Sequence, residues 1–402
     1  SYSGVSLTAI HIHHGLQQPA DGWAEHCRRV CAEMGVPIVV ERVKVNNDHG
    51  EGLEAAARRV RYEVFERLVG EREVLLQGHH ADDRIETFFL NLFRGSGPVG
   101  LASIPLSRQC GNGTILRPLA NASRAEIEEY AYKNQLNWIE DPSNDQTHFD
   151  RNYLRQELLP SIRKRWTGIN KSIQQAIDHN TQSHQLLDDL ALIDYERCQS
   201  EFGRLLVSKL VLIGEERRFN LIRYWLRKQG LLPPGRRKLA QGLADMLSAA
   251  EDRQPEIASN GYSVRRFKGE LFVVVSQPSI DPSQVIPLNP FQEVSINGIG
   301  KVTLVEGEVP GLSLELAKRQ DLTLRFRQGG EVCLPCKSCC RVEIKDLMRE
   351  KGVPPWERER VPLLYVGDEI AAVGNLVICE PYRARWGEQA LHLKIEPDNI
   401  TR

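Results

Sequence analysis

The sequence predicts an α/β protein: a doubly wound parallel sheet first, then a mainly helical middle domain and a small β-rich C-terminal domain. Three observations predict it. Short apolar runs alternate with helical patterns over the first third of the chain. Apolar residues then recur at helical spacing, and from Tyr262 onward they alternate with polar ones. The expected domains are 1–165, 166–277 and 290–402, the last two separated by the proline-rich stretch Gln277–Pro290.

The elements follow in order. Val5–His11, Pro37–Val45 and the short apolar Glu73–Gln77 read as parallel strands. Between and after them, Ala24–Met34, Leu53–Val69 and Asp82–Phe93 read as helices; in the second, Leu53, Ala56, Ala57, Val60, Val64 and Leu68 form one stripe. Ligands of such a sheet sit beyond the carboxyl ends of the strands. Arg94–Leu101 is a glycine-rich loop. Ser123–Asn134 is a helix with Ser123 as N-cap and Glu126 as its capping-box partner. Helical patterns run over 152–165, 168–198 and 202–247, the last broken at Pro233-Pro234-Gly235. Tyr262 opens a hairpin turning near Gly269, and one helix, Val342–Lys351, interrupts the β-rich end.

Composition narrows the class. The 402 residues carry 52 basic and 53 acidic side chains, a net charge of −1, so a polyanion partner must be met by local patches. No apolar run is long enough to span a membrane. Nine cysteines scattered through a long chain suit a reducing cytoplasm better than a disulfide framework.

Five constellations carry chemistry. His11, His13, His14 and Gly15 end the first strand, where a ligand docks. Asp82 lies in the first turn of the next helix, and Asp83 and Glu86, three apart, share a face that can hold a cationic group or a magnesium ion and can take a proton. Arg94, Gly95, Ser96 and Gly97 can form an anion nest with a guanidinium fork. Residues 151–165, with Arg151 and Arg155, hold five bases against Glu157 alone. Residues 201–241 hold ten bases, among them Arg217, Arg218, Arg223 and Arg227, against three acids, with Phe219, Tyr224 and Trp225 interleaved. These two runs suggest a polyanion face, plausibly RNA. Finally Cys333, Cys336, Cys339 and Cys340 have a spacing that can ligate zinc or an iron–sulfur cluster, with Cys379 as a remote fourth ligand. Each has a plainer reading: a solvated strand end, a helix cap, a tight turn, a solvated helix face, ordinary thiols.

Taken in order, HIHHGL (11–16), GLEAAARRVRY (52–62), GHHADDRIET (78–87), RGSGPVGL (94–101), RPL (117–119), EDPSN (140–144), RNYLR (151–155) and GVPPWERERVPLLY (352–365) resemble the bacterial tRNA(Ile)-lysidine synthetase family. The resemblance implies an N-type ATP pyrophosphatase (PP-loop) domain with an adenine nucleotide α-hydrolase-like sheet, followed by two tRNA-binding domains. It implies a cytoplasmic ligase that uses ATP and Mg2+ to adenylate the wobble cytidine of tRNA(Ile) with a CAU anticodon. The ε-amino group of L-lysine then displaces AMP and leaves lysidine. By position, Asp83 and Glu86 match the family's lysine-binding, catalytic acidic pair. His11, His13, His14, Gly15 and the Arg94–Gly97 loop line the nucleotide and cytidine cleft, and Arg151, Arg155, Arg217, Arg218, Arg223 and Arg227 face tRNA. No membrane partner is implied, and a homodimer stays open.

Three departures accompany the resemblance. The family's SGGxDS phosphate loop, which precedes the segment matching HIHHG, is not among these residues. The expectation is a chain lacking about thirty residues for one strand, loop and helix, a sheet without a central member, and no lysine transfer until that loop is supplied. Arg84 stands where members generally have Gln, changing the charge beside the acidic pair. Glu343-Ile344-Lys345-Asp346 replaces a basic run and weakens any phosphate contact there. Two rival readings remain: another PP-loop tRNA-modifying enzyme, such as a thiolation enzyme using the cysteines, and a non-catalytic tRNA-binding remnant.

Overall fold

Strand β1 (Ala9–His13) begins where a partner becomes available: Pro37 gives its carbonyl to the Ala9 amide, and β2 (Ile38–Arg42) pairs in parallel from Ala9↔Ile38 to His13↔Arg42. The computed structural model describes residues 4–17, 19–46, 52–250, 253–319, 321–336 and 340–396. It divides into two compact units, 1–189 and 190–402.

In the first unit, α1 (Ala20–Glu33) connects β1 to β2, and α2 (Leu53–Leu68) leads to β3 (Val74–Leu76). Helix α3 (Ala81–Phe93) and a single turn, α4 (Pro98–Leu101), come next. The hairpin β4 (Ser107–Cys110) and β5 (Gly113–Leu116) follows; β5 runs parallel to β3 and β4 antiparallel to β5. Helix α5 (Arg124–Lys133) has the expected capping box between Ser123 and Glu126. A helix covering 150–165 comes next, written as α6 (Asp150–Tyr153), a π-helical turn (Leu154–Leu158) and α7 (Leu159–Arg165). Helix α8 (Ile169–Cys198) follows, residues 169–189 in this unit and the rest in the second.

The parallel sheet is present in two pieces, β1-β2 and β3-β5-β4. Ile10 and Ile12 of β1 pack with Leu75 of β3 and Ile115 of β5 under Tyr62 and Phe65 of α2. One edge of β1 and one edge of β3 therefore have no strand partner among the described residues.

The second unit contains two layered bodies. In the first, β6 (Leu205–Leu206), α9 (Val207–Leu210), α10 (Glu215–Lys228), α11 (Arg236–Ser248), β7 (Glu256–Ser259), β8 (Tyr262–Phe267) and β9 (Glu270–Val275) form a helical layer on an antiparallel sheet of order β6-β9-β8-β7. The middle is thus mainly helical, with the expected Tyr262 hairpin extended by β6 and β7 to a four-stranded sheet. Its Lys268-Gly269 turn has positive φ at both residues, the geometry of a two-residue hairpin.

The second body is β-rich as expected. Its elements are β10 (Val285–Pro287), β11 (Val294–Ile296), β12 (Gly300–Gly307), β13 (Leu312–Ser313), α12 (Leu314–Arg319), β14 (Leu322–Arg325), β15 (Val332–Cys333), β16 (Val342–Glu343), α13 (Ile344–Glu350), β17 (Leu363–Val366), β18 (Glu369–Val373), β19 (Val377–Ile378) and β20 (Ala390–Glu396). They build sheets of order β10-β14-β17-β18-β19 and β11-β12-β20-β13, with β15-β16 a small pair of its own.

Packing of α11 on β7 is close enough to need glycine. A Cβ at Gly242 would lie 2.3 Å from Ile257 Cγ1, whereas one at Gly22 in α1 would meet nothing within 4 Å. Alanine gains about 1 kcal/mol over glycine in a helix interior, and overpacking costs about 1–3 kcal/mol. Gly22→Ala should therefore raise the thermal midpoint of its unit and Gly242→Ala should lower it, as read by calorimetry.

Candidate active site

Helix α3 starts directly beyond the carboxyl end of β3, so its first turn points at the ligand edge of the sheet. The three carboxylates of that turn differ in environment. Asp83 caps the helix, its Oδ2 accepting from the His80 amide at 2.9 Å. Asp82 accepts from the Arg124 amide at 2.8 Å and from Arg163 at 2.6 Å. Burial pushes the Asp82 carboxyl up, but these two donors outweigh it and hold the group below the usual range. Glu86 is 1% exposed.

Such a burial needs compensation, and Arg151 and Arg155 supply it. Arg151 donates from Nε to Glu86 and from its terminal nitrogen to Asp83, both at 2.7 Å. Arg155 donates to the two Glu86 oxygens at 2.7 and 3.0 Å and lies 3.9 Å from Asp83. The bonds from Glu86, working against burial, raise Arg155 above the ordinary guanidinium range. Two carboxylates and two guanidiniums thus form a charge-balanced cluster. The arginines come from α6 and the π-helical turn, a rare geometry that recurs at functional sites.

The sequence-read site residues fall out as follows. Asp83 and Glu86 do share a face and hold cations, but the cations are this chain's own. Arg151 and Arg155 point at those carboxylates, not outward to a polyanion. Arg84 departs from the reading too: its guanidinium reaches Asn121 at 3.4 Å and Asp178 of α8 at 3.2 Å, so it adds no charge beside the pair.

At the end of β1, the His11 ring meets the Cys27 thiol at 3.5 Å, His13 lies 3.3 Å from Asp21, and Arg61 donates to His14 at 3.4 Å. Burial, more than neighbouring charge, lowers both His11 and His14. Gly15 has φ +67° with open space about it.

The Arg94–Gly97 loop is a correction. The amides of Arg94, Gly95 and Ser96 donate to Leu90, Leu92 and Asn91, so they terminate α3 instead of forming an anion nest. The loop also lies at the far end of a 13-residue helix, about 12–17 Å along its axis from the acidic pair.

In the second unit, Arg217 is bonded through both terminal and Nε nitrogens to the fully buried Asp194. Phe219 and Trp225 are core residues, so they offer no stacking face. Arg218 is half-buried with its Nε unpartnered; Arg223 and Arg227 are half-buried beside it. The exposed bases of this run are Lys209, Lys228, Arg236, Arg237 and Lys238; Arg236 pairs with Glu216 at 2.7 Å and Lys228 lies over the Tyr195 ring. Lys345 pairs with Glu343 at 2.6 Å. Among the described residues no three His, Cys, Asp or Glu side chains converge on a metal position; Cys339 lies outside those residues.

One group escaped the sequence reading. Arg117, just beyond β5, is buried and donates to Gln77 and the Pro105 carbonyl at 2.8 and 2.7 Å and to His79 at 3.4 Å. Tyr62 lies under the guanidiniums of Arg108 (4.1 Å) and Arg58 (5.1 Å). Burial pushes the Tyr62 phenol up, but Arg58, Gln77, Arg108 and Arg117 outweigh it and lower it. The sequence signals were that Gln77, His79 and Arg117 all follow strand ends and that His79 and Arg117 lie in the segments GHHADDRIET and RPL, where neither residue was given a role.

A split parallel sheet with a charged cluster beyond its carboxyl edge defines an α/β protein of the nucleotide-binding PP-loop class, and residues 1–162 match the PP-loop domain model. Residues 205–272 match the TilS substrate binding domain and 322–395 the TilS substrate C-terminal domain. The tRNA(Ile)-lysidine synthase of Coxiella burnetii is 35% identical over 97% of this chain and 87% of that protein. Those of Alkalilimnicola ehrlichii and Serratia proteamaculans are 38% and 34% identical, over 98% and 97% of this chain and 88% of each relative. The chain belongs to the tRNA(Ile)-lysidine synthase family.

Two predictions follow from the geometry. Glu86→Ala should destabilise the first unit by about 3 kcal/mol, because breaking a buried, hydrogen-bonded ion cluster strands its partners. Glu128→Ala, which removes only an exposed helix pair with Arg124, should stay within about 0.5 kcal/mol. Urea denaturation followed by hydrogen exchange of α3 measures both. His79 is held down to about 4 by burial first, with Arg117, Arg151 and Arg58 adding and Asp83 opposing. Its folded pKa lies below the unfolded value near 6.5, so the stability it contributes is present above pH 6.5 and is lost as pH falls toward 4. His79→Gln should flatten the urea midpoint across that window relative to the parent protein.

Proposed function

We propose that this protein makes lysidine. It uses ATP to adenylate the C2 oxygen of the wobble cytidine in a CAU-anticodon tRNA(Ile), and the ε-amino group of L-lysine displaces AMP. Membership of the lysidine synthase family supports the reaction. The observation that carries the site assignment is the carboxylate pair Asp83 and Glu86 beyond the sheet, which already holds two cations. Under this reading Asp83 and Glu86 take the lysine ammonium when Arg151 or Arg155, 29% and 25% exposed, swings aside. One cation then replaces another, and no unpaired charge is buried.

Magnesium enters as the metal of the Mg–ATP substrate, since both Glu86 oxygens are already taken by guanidiniums and octahedral Mg2+ needs open oxygen ligands. The nucleotide cleft lies at His11–Gly15, at the end of β1. The open edges of β1 and β3 support a further parallel strand between them, carrying the SGGxDS loop for the triphosphate. Lys209, Arg237 and Lys238 are exposed middle-domain bases that can meet tRNA phosphates. Because tRNA and ATP are the substrates, the proposed compartment is the cytoplasm; among the described residues no helix is long and apolar enough to cross a membrane. The thiolation and remnant alternatives are not favoured, since the curated relatives are lysidine synthases across nearly the whole chain.

Radiolabelled lysine transfer to a CAU-anticodon transcript tests the reading. Transfer should be ATP-dependent in a version carrying the strand and SGGxDS loop, and absent from the 402 residues alone. In the active version, Asp83→Asn and Glu86→Gln should each raise the lysine KM at least roughly tenfold, the worth of one charge-assisted hydrogen bond, in protein that circular dichroism shows to be folded. Equal turnover without the loop overturns the strand assignment. An unchanged lysine KM in both variants overturns the carboxylate assignment.

A further inference from the structure

The cysteine cluster near the C-terminus is not used by the proposed reaction, yet the fold gathers part of it. The segment 333–336 runs antiparallel to 378–380: the Cys336 amide donates to the Ile378 carbonyl at 3.1 Å, the Glu380 amide to Leu334 at 2.9 Å, and Pro335 bridges Cys379. That register brings Cys333 and Cys379 together inside one apolar cluster with Ile344, Met348 and Leu363. They are 4% and 0% exposed, both are thiols, and they hydrogen-bond to one another. The Cys379 thiol donates, which lowers Cys333 below the ordinary thiol range and, with burial, raises Cys379 well above it.

A cavity of about 530 Å3 borders the same two segments, walled by Pro335, Cys336, Ile378, Arg383 and His392, though neither Cys333 nor Cys379 is in its wall. Arg383 donates to the Cys336 sulfur at 2.7 Å on this wall.

We propose that Cys333 and Cys379 are a reversible oxidation site, closing to a disulfide when the protein meets a hydroperoxide. Both S–H bonds and the O–O bond of hydrogen peroxide break, the S–S bond forms, and the two sulfur electrons and two protons leave in two molecules of water. The disulfide ties the end of β15 to the residue after β19, closing a loop of roughly 45 residues in the C-terminal domain.

The test uses the full chain, reduced, freed of reductant and exposed to hydrogen peroxide. Remaining thiols are alkylated in denaturant and peptides mapped with and without reduction. The expected result is a reducible peptide pair joining Cys333 to Cys379. A rise of roughly 5 °C in the thermal transition of this domain should accompany it and be reversed by dithiothreitol. Cys336→Ser should keep the cross-link and Cys333→Ser should abolish it. Recovery of Cys333 and Cys379 both alkylated after peroxide has oxidised other cysteines overturns the proposal. So does a cross-link that runs instead from either of them to Cys336 or Cys340. The wild-type peptide map decides the matter even where Cys333→Ser does not fold.

Discussion

A carboxylate that is almost fully buried cannot stand alone, and the candidate site is organised around that constraint. Moving a carboxylate from water into a protein interior costs several kcal/mol unless charge and hydrogen bonds compensate it. Glu86 is compensated from one direction only, by Arg151 and Arg155. Helix α3 is thereby fixed against the helix of residues 150–165, and the apolar contact of Ile85 with Leu159, Ile173 and Ile177 falls on the same pair of elements. Asp82 repeats the device with Arg163 one turn further along, and Arg84 repeats it with Asp178. Three ion pairs and one apolar seam hold the ligand edge of the sheet to the helices that follow it.

Much of this was legible in the sequence, for reasons that differ by element. The strands and helices of the first unit follow from periodicity, since a buried parallel strand and an amphipathic helix leave distinct patterns. In the mainly helical middle domain the Tyr262 hairpin showed in the alternation, whereas β6 with two residues and β7 with four are too short for one to show. Strand β10 hid within a proline-rich stretch; Pro287 is tolerated because β10 is an edge strand whose only neighbour is β14.

The site was legible in its residue types and less so in its partners. Asp83 and Glu86 were visible because a spacing of three places them on one helical face. That Arg151 and Arg155 would answer them was not, because ion pairing across 65 to 69 positions of sequence leaves no local trace. The same blindness turned Arg217, Phe219 and Trp225 into surface candidates: a basic, aromatic helix looks alike whether its cations meet phosphate or a buried Asp194. The glycines of the Arg94 loop were misassigned for a different reason. A nest and a helix C-cap use the same residues, and only the direction of the amides separates them.

These partners bear on how an amine could be selected. A site that is empty and acidic attracts any cation, including sodium and magnesium at cellular concentration. Here the two carboxylates are already neutralised, so a small hard ion must displace a guanidinium that makes two directed hydrogen bonds and must give up its own hydration as well. An ammonium on a flexible alkyl stem loses less hydration, keeps three donors and leaves the charge balance intact. The displaced arginine, tethered to the π-helical turn, remains close to the carboxyl edge where the polyphosphate of a nucleotide would dock. Its charge is then met by phosphate at the same time as the ammonium meets Asp83 and Glu86. Under the proposed reading this couples occupancy by nucleotide to occupancy by lysine through one pair of side chains, with no larger movement of the fold required.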